Sequence, residues 1–275
     1  MAATPYQNVT IPSNISVTNT APIVSNVALP SPINLLAGTT TQVNCTAQVI
    51  DDNGVSDLNI TNATLHHSSV APTAPDSNET KYSVVCSCYG MDNITSNCTC
   101  SFDVWYYANN GTWYCNVTVV DDSSESDTVV NSTIINTLRA VNVTRTSLDY
   151  GDLPTGNTSQ ELNITLINIG NTIIDISAFA YGSAMDDGLA MVCDGGSIDA
   201  TYERYDYSSG TEYALMTSVS GNSAAPSQMD LDIGKREDGE EMGDASSMVY
   251  WKLKIPVGAG GVCNGTLTFI AEADT

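Results

Sequence analysis

The sequence predicts an all-β chain in which two tandem immunoglobulin-like β-sandwich domains follow an N-terminal extension strand. Short segments alternate apolar and polar residues with a period of two, which is typical of half-buried strands. Turn sequences such as Asp52-Asn53-Gly54 separate these segments. The sequence contains no helical stripe and no run of about 18 apolar residues that could cross a bilayer. The predicted boundaries are 1–21 for the extension, 22–140 for the first domain and 141–275 for the second.

The extension is amphipathic when it is fully extended, because alternate residues of a strand lie on opposite faces. Residues 6–19 place four β-branched apolar side chains on one face, namely Val9, Ile11, Ile15 and Val17. Pro12 removes one backbone donor, which suits an edge strand. A strand of this kind needs a place to bury its apolar face. It either folds back on its own sandwich or fills a groove in the next copy of the chain.

Each domain contains enough predicted strands for a sandwich. In the first domain we predict strands at 23–29, 41–50, 56–65, 81–88, 98–107, 112–120 and 128–136, with a polar loop at 66–80. Seven short strands at this spacing are typical of an immunoglobulin-like sandwich. In the second domain we predict strands at 141–148, 161–167, 172–179, 201–205, 248–255 and 265–273. The acidic stretch 237–241 is predicted to be a solvated loop, and residues 136–142 to be the hinge between the domains.

The eight cysteines indicate an oxidising compartment, because their number is even in each predicted domain. Cys45 and Cys115 fall on the inferred inward faces of two strands that are distant in the sequence. In an immunoglobulin-like domain, a disulfide at such positions joins the two sheets beside an aromatic side chain. Trp105 and Trp113 are the candidates for that aromatic residue.

Four further cysteines flank a predicted turn, two on each side of it. Two cysteines that are two residues apart share one face of a strand, so nested disulfides fit this hairpin if its strands pair in the matching register. The alternative is a zinc site, but structural zinc usually shows two to four residues between paired ligands instead of one. The disulfides predicted here are Cys86–Cys100, Cys88–Cys98 and, by elimination, Cys193–Cys263.

Fifteen Asn-X-Ser/Thr sequons indicate N-glycosylation of a surface protein. In several of them the asparagine alternates with apolar residues, so it points to solvent when its neighbours point inward. The alternative is that Asn and Thr merely fill the solvent face of a sheet. The middle residue of the Asn44 and Asn97 sequons is a cysteine, and a disulfide at that cysteine competes with glycosylation of these two sites. The candidate asparagines are Asn8, Asn14, Asn44, Asn59, Asn62, Asn78, Asn93, Asn97, Asn110, Asn116, Asn131, Asn142, Asn157, Asn163 and Asn264.

The charge of the chain excludes several classes of partner. Eight Lys and Arg residues stand against 31 Asp and Glu residues, which gives a formal net charge of −23. This balance argues against nucleic acid, which needs a positive footprint, and against docking on anionic lipids. The two histidines, His66 and His67, are adjacent, and no nucleophile, phosphate-binding or metalloprotease motif accompanies them. We therefore expect neither an enzyme nor a cofactor, apart from N-linked glycans.

Calcium is the alternative interpretation of two acidic loops. Calcium takes six to eight oxygen ligands and often binds in loops. An ordinary turn explains the same residues, and their spacing does not match the EF-hand loop, so we assign no metal ligands. The residues concerned are Asp51, Asp52, Asn53, Gly54 and Asp57 in one loop, and Asp121, Asp122, Glu125 and Asp127 in the other.

Several short motifs resemble those of the sequon-rich surface and fibre proteins, built from immunoglobulin-like domains, of archaea and some other microbes. The motifs are Ala21-Pro22-Ile23-Val24, Asp51-Asp52-Asn53-Gly54, the segment 111–118, Asn168-Ile169-Gly170-Asn171, and the segments 251–256 and 265–269. They extend over most of the chain and are architectural. The resemblance implies a role similar to that of surface layers, stalks and donor-strand pili, and it implies no chemistry.

The leading functional hypothesis is a homopolymeric extracellular filament in which each subunit donates residues 6–19 to its neighbour. The alternative is a monomeric surface module or adhesin that binds glycans or proteins. An adhesin would have its N-terminal strand docked on its own chain and an exposed aromatic patch, for which the candidates are Tyr202, Tyr205, Tyr207 and Tyr213. A secreted hydrolase is a third hypothesis, which requires a pocket with converging carboxylates.

Overall fold

The structure, a computed structural model, describes residues 8–237 and 243–274 and confirms the all-β prediction. The predicted acidic loop at 237–241 lies almost wholly outside the described residues. No helix in the described part of the chain has the length and apolar character needed to cross a membrane. The strands are β1 Ile23–Ala28, β2 Thr40–Ile50, β3 Leu58–His67, β4 Lys81–Val85, β5 Ser87–Gly90, β6 Thr95–Trp105, β7 Gly111–Asp121, β8 Ser126–Ile135, β9 Val141–Val143, β10 Leu162–Asn168, β11 Ile174–Tyr181, β12 Leu189–Gly195, β13 Ser197–Asp199, β14 Glu203–Asp206, β15 Thr217–Ser218, β16 Ser227–Ile233, β17 Ser246–Leu253, β18 Gly260–Asn264 and β19 Thr266–Ala273.

The N-terminal sandwich packs two four-stranded antiparallel sheets, with strand orders β1-β2-β6-β5 and β4-β3-β7-β8. In β2, every second residue from Val43 to Val49 is buried, and all eleven residues pair with β6 without a bulge. The prediction of one strand at 81–88 is wrong. The chain leaves β4 in one sheet and enters β5 in the other, with Cys86 at the crossing.

Both seams of the N-terminal sandwich are closed. On one side β1 and β8 meet, and the Val24 backbone N–H donates to Asp127 Oδ2 at 2.8 Å. On the other side the Cys86–Cys100 disulfide joins the crossing to β6. The largest side chain of the core between the sheets, Trp113, is fully buried.

The C-terminal sandwich packs a five-stranded sheet, β15-β14-β17-β10-β9, against a three-stranded sheet, β16-β11-β19. A small third sheet has the order β13-β12-β18. The central strand β11 is buried from Ile174 to Ala180, and Trp251 of β17 is fully buried. The predicted strand at 141–148 is longer than the observed one, which ends at Val143. Five strands were not predicted, since they are short or contain register shifts that break a period of two, namely β12, β13, β15, β16 and β18.

The N-terminal arm, which we define as residues 8–20, forms no strand within its own chain, and its pairing with another copy stays a prediction. A strand needs a neighbour for its backbone groups, and the arm has none among the described residues of its own chain. Its apolar side chains are therefore exposed, with Val9, Ile11, Ile15 and Val17 between 77% and 90% accessible. The two last residues of the arm contact the N-terminal sandwich, where the Asn19 amide donates to Asp121 Oδ2 at 2.8 Å and the Thr20 N–H donates to Asn53 Oδ1 at 2.7 Å.

The junction between the sandwiches is bonded to the turn that connects β10 and β11. The Asn171 side chain accepts from Leu138 N–H at 2.7 Å and donates to Asn136 O at 3.0 Å. A Cβ atom on Gly170 would lie 2.2 Å from Leu138 O, so only glycine allows this approach. Lys235 also forms an ion pair with Glu79 of the N-terminal sandwich. The predicted hinge segment 136–142 is thus bonded to the C-terminal sandwich at these points.

Four disulfides are present, and they join Cys45–Cys115, Cys86–Cys100, Cys88–Cys98 and Cys193–Cys263. Cys45 and Cys115 are fully buried in the core that also contains Trp113, whereas Trp105 is half-buried and stacks on Tyr107. Cys193 and Cys263 lie opposite each other on β12 and β18, and Cys263 is half-exposed.

Two of these disulfides form a matched pair, because both join residues 70 positions apart. Loss of either should therefore release a similar chain entropy, which corresponds to about 2–4 kcal/mol of stability. Replacing buried Cys45 and Cys115 with alanine also leaves a core cavity, so we expect this double variant to lose roughly 1–2 kcal/mol more than Cys193→Ala/Cys263→Ala. Chemical denaturation at neutral pH measures both losses, and equal losses would contradict the packing contribution.

Candidate functional site

An open groove lies between the two sheets of the C-terminal sandwich. It is bounded by β9 and β19, which are edge strands of opposite sheets. Among the described residues, no strand pairs with the outer edge of either one. The groove encloses a volume of about 670 Å³. Its apolar lining includes Val143, Leu148, Tyr150, Ile164, Leu267 and Phe269.

The side chains in this groove belong to the core of the sandwich but are only half covered. Leu267, Phe269 and Ala271 of β19 pack against the buried cluster around Trp251, yet each is partly accessible. The neighbouring strand β11 is buried over almost its whole length. This difference arises because β11 has a strand on both sides, whereas β19 has a strand only on one side.

The groove continues into a second cavity of about 860 Å³, beneath the segment 148–155. The two cavities share lining residues, among them Leu148, Tyr150 and Met191. Together they form a trough along one side of the C-terminal sandwich. We call the part bounded by these two strands the β9–β19 groove.

A buried carboxyl group lies at the bottom of the groove. Glu203 is 3% exposed, and its Oε1 accepts a hydrogen bond from the Tyr150 hydroxyl at 2.7 Å. Burial raises the pKa of Glu203 to about 7, and the hydrogen bond only partly offsets this effect. Burial and the same carboxylate raise the pKa of Tyr150 well above its usual value. The lining of the groove thus combines apolar side chains with the carboxyl group of Glu203, the guanidinium of Arg145 and polar residues at the rim. No second carboxylate hydrogen-bonds to Glu203 in the described residues.

Three of the predicted acidic loop residues come together at one end of the N-terminal sandwich. We call Asp51, Asp57 and Asp121 the acidic cluster, since a carboxylate oxygen of each lies within 4.8 Å of the other two. Asp51 follows β2, whereas Asp57 and Asp121 are neighbours because Leu58 pairs with Asp121 across β3 and β7. The backbone bond from Asp122 N–H to Asp57 O, at 2.8 Å, joins the two loops.

The electrostatics of the acidic cluster are unbalanced. Partial burial and the nearby carboxylates of Asp51 and Asp121 raise the pKa of Asp57. The hydrogen bond from the Asn19 side chain lowers the pKa of Asp121. None of the ion pairs formed by the described residues includes a member of the cluster. Repulsion among the three carboxylates is therefore relieved only by neutral donors.

The other residues considered for calcium have different roles. Asn53 accepts from the arm, Gly54 adopts a positive φ of 113°, and Asp127 accepts from Val24 N–H. Asp52, Asp122 and Glu125 are exposed. A turn therefore explains these residues, and of the nine positions considered for calcium only the three of the acidic cluster have carboxylate oxygens close enough to share a cation.

The tyrosines considered for an adhesive patch do not form one. Tyr205 is buried against Trp251, with ring centroids 5.4 Å apart. Tyr213 stacks beneath Arg204 and donates its hydroxyl to Tyr202 O at 3.0 Å. Tyr207, which is 46% exposed, is the most accessible of the four. Their main contribution is therefore to packing.

The two histidines have separate environments. His66 is buried and stacks on Tyr114, whereas the half-exposed His67 has its Nδ1 atom 2.7 Å from Ser69 Oγ. Burial lowers the pKa of both imidazoles. The Ser69 contact is local, and the other ring nitrogen of His67 lies 3.2 Å from the backbone oxygen of Asn110. No carboxylate orients this ring in the described hydrogen bonds, as an acyl-transfer triad would require.

The sequon asparagines lie mostly on the surface. Asn78, Asn97 and Asn116 are half-buried, and the other twelve are exposed. The exposed positions include Asn142 of β9 and Asn264, which lie at the rim of the β9–β19 groove. Glycosylation of these residues stays a prediction.

No protein-family model and no curated protein matches the sequence. Similar solved structures include the chaperone–tip adhesion subunit complex of Csu pili from Acinetobacter baumannii, with 8% identity, 90% of this chain and 100% of that chain covered, and a TM-score of 0.40. The C-terminal domain of the AgI/II polypeptide BspA from Streptococcus agalactiae has 10% identity and a TM-score of 0.27, with 91% of this chain and 95% of that chain covered. Latent PorU from Porphyromonas gingivalis has 10% identity and a TM-score of 0.27, with 94% of this chain and 20% of that chain covered. Similarity at this level carries no argument about the function of this chain.

The buried carboxyl of Glu203 should make stability depend on pH. Its pKa is raised from 4.5 to about 7 on folding, so the folded chain holds the proton more tightly than the unfolded chain. Its stabilising contribution is complete below about pH 4 and is lost as the pH rises through 7, with a total change of roughly 3 kcal/mol at most.

We therefore expect the stability of the wild type, relative to Glu203→Gln, to fall between pH 4 and pH 8. Urea denaturation of both chains at several pH values measures this difference. Glu212→Gln, which changes an exposed glutamate of the same sandwich, is the control and should follow the wild type. A constant difference between Glu203→Gln and the wild type would contradict the prediction.

Proposed function

We propose that this chain is the structural subunit of an extracellular glycosylated filament, in which the N-terminal arm of one copy fills the β9–β19 groove of the next. One observation carries the proposal: the same chain has an exposed apolar arm and an open groove over a half-covered core. The arm has apolar side chains that need a covering surface, and the groove has core side chains that need a further strand to cover them. We assign the chain a structural role and no catalytic one.

The lengths of the arm and of the edge strand β19 match. As a strand, the nine residues from Val9 to Val17 would extend over roughly 26 Å, and the eight residues of β19 extend over roughly 23 Å. The outer edge of β19 offers backbone donors and acceptors for a further strand. The arm would pair with these groups while its alternate side chains enter the groove. Burial of each Val or Ile would contribute about 1.5–3 kcal/mol before the cost of ordering the arm.

The choice of acceptor follows from the seams of the two sandwiches. The N-terminal sandwich is closed at both seams, by the contact of β1 with β8 and by the Cys86–Cys100 disulfide. The C-terminal sandwich exposes part of its core between β9 and β19. A contact between the front of one copy and the back of the next is head-to-tail, so it propagates along a filament unless it closes into a ring.

The neutral arm lets two negatively charged copies of the chain come into contact. The net charge of −23 makes copies of the chain repel one another, and salt screens this repulsion. Residues 8–19 contain no charged side chain. The arm therefore enters the groove without adding a carboxylate to it, and apolar burial and backbone pairing supply the attraction.

The proposed location is outside the cell. All eight cysteines are paired, which fits an oxidising environment, and free cysteines are absent from the described residues. Fifteen sequons, of which twelve have exposed asparagines, supply attachment positions for glycans on the filament surface.

A charge on the inner face of the arm should prevent assembly. Ile15→Asp keeps the Asn14 sequon intact but places a carboxylate against the half-covered core side chains Leu267 and Phe269, at a large desolvation cost. Thr18→Asp adds the same charge on the opposite face and alters no sequon. By electron microscopy we expect filaments from the wild type and Thr18→Asp, and single particles from Ile15→Asp and from a chain that lacks residues 1–19.

Single particles from the wild type would refute the filament and favour a monomeric module that binds glycans or proteins. Filaments from Ile15→Asp would mean that the arm is not what joins the copies.

The position of the acceptor can be tested without filaments. A synthetic peptide of residues 6–19 should bind the chain that lacks residues 1–19 with a stoichiometry of one. Backbone hydrogen exchange in β19 should then slow, because the peptide takes up the free edge of that strand. A peptide with Ile11→Asp and Ile15→Asp is the matched control and should not bind. Protection at a different sheet edge would place the acceptor elsewhere and leave the role of the arm intact.

A further inference from the structure

The acidic cluster contains a buried oxygen without a partner. Asp51 is fully buried, and its Oδ1 accepts from Asn53 N–H at 2.8 Å. Its Oδ2 is buried and has no hydrogen-bond partner among the described residues. A buried carboxylate oxygen without a donor is costly, so such an atom calls for an explanation. A bound cation would explain this oxygen, because two further carboxylates lie close enough to share the cation with Asp51.

The spacing of the carboxylates fits calcium. Oxygen ligands lie about 2.3–2.6 Å from Ca²⁺, so any two of them are separated by no more than about 5 Å. The ligand oxygens of Asp51, Asp57 and Asp121 lie within 4.8 Å of one another. Three carboxylates leave the remaining positions to carbonyl oxygens or water, which calcium accepts in irregular geometries. The preference of Mg²⁺ for a near-regular octahedron at about 2.1 Å makes it a weaker match.

We propose that Asp51, Asp57 and Asp121 form a calcium site, and that calcium bound there holds the root of the N-terminal arm in place. The arm meets the chain at this point, since Asn19 donates to Asp121 Oδ2 and Thr20 donates to Asn53. Asn53 in turn donates to Asp51. An ion between the carboxylates would remove their repulsion and fix both loops to which the arm root is bonded.

The calcium site lies at the root of the arm, so calcium would influence how the arm reaches another copy. Calcium would act on residues 19–20 and leave residues 8–17 free to reach another copy. This consequence rests on the proposed function, whereas the calcium site does not.

A second group of three aspartates has the same spacing as the acidic cluster but lacks its buried, unpartnered oxygen. Asp175, Asp230 and Asp232 also converge within 4.8 Å. In that group the buried member, Asp175, accepts backbone bonds from Leu231 and Asp232, and no side-chain oxygen of the three is both buried and unpartnered. It therefore serves as a control and not as a second site.

The test is calorimetric titration of the full chain with CaCl₂ in 150 mM NaCl, after removal of divalent ions with EDTA. We expect one site with a Kd between about 10⁻⁵ and 10⁻³ M, the range of weaker sensor and extracellular sites. Asp57→Asn should weaken binding about tenfold or more, because a full charge leaves the cluster. The matched control Asp230→Asn should bind as the wild type does. MgCl₂ should bind more weakly than CaCl₂.

Hydrogen exchange supplies a readout that does not depend on filaments. With calcium, the amide of Thr20 should exchange more slowly, whereas the amides of residues 9–15 should not change in the single-particle variant Ile15→Asp. Asp57 is only half-buried, so Asp57→Asn should fold even if Asp51→Asn does not. Absence of calcium binding up to 10 mM, or equal weakening by Asp57→Asn and Asp230→Asn, would overturn the site. Binding without slower exchange at Thr20 would overturn its effect on the arm.

Discussion

The strand β19 is the element on which the architecture of the C-terminal half depends, because it has to complete a core while it has a neighbour on one side only. Its side chains Leu267 and Phe269 reach the same cluster as Trp251, but the groove beside them stays open. A sandwich seam can be closed by strand contact or by a disulfide, as both seams of the N-terminal half are. The difference between the two halves lies in the seams, since both are built from the same kind of strands.

Local features of the fold could be predicted from the sequence, and features made by distant residues could not. Alternation along Val43–Val49 predicts a half-buried strand, and cysteines two residues apart predict a shared face, since both patterns are local. The groove is different. Val143, Tyr150 and Phe269 are brought together by the order of strands in two sheets, about which their local sequence carries no information. Nor could the burial of Glu203 be predicted, since it begins a short strand with little apolar pattern around it.

The arm and the acidic loops show two other limits of sequence reasoning. The pattern of the arm identifies its apolar face, but a strand is defined by its neighbour, and the neighbour is absent from the same chain among the described residues. The acidic loops offer nine candidate positions, and the pairing of β3 with β7 selects Asp57 and Asp121 as companions of Asp51. A pairing register is a property of two strands, so composition alone could not make that selection.

The bonded junction between the sandwiches has a mechanical consequence. Asn171 bonds to the connecting segment at two points, Gly170 packs directly on Leu138, and Lys235 reaches across to Glu79. Bending at the junction would break these contacts together, so the chain should act as a stiff rod. The compliance of a fibre made from such rods would then reside in the short tethers between them, and its persistence length would be set by the residues that link one rod to the next.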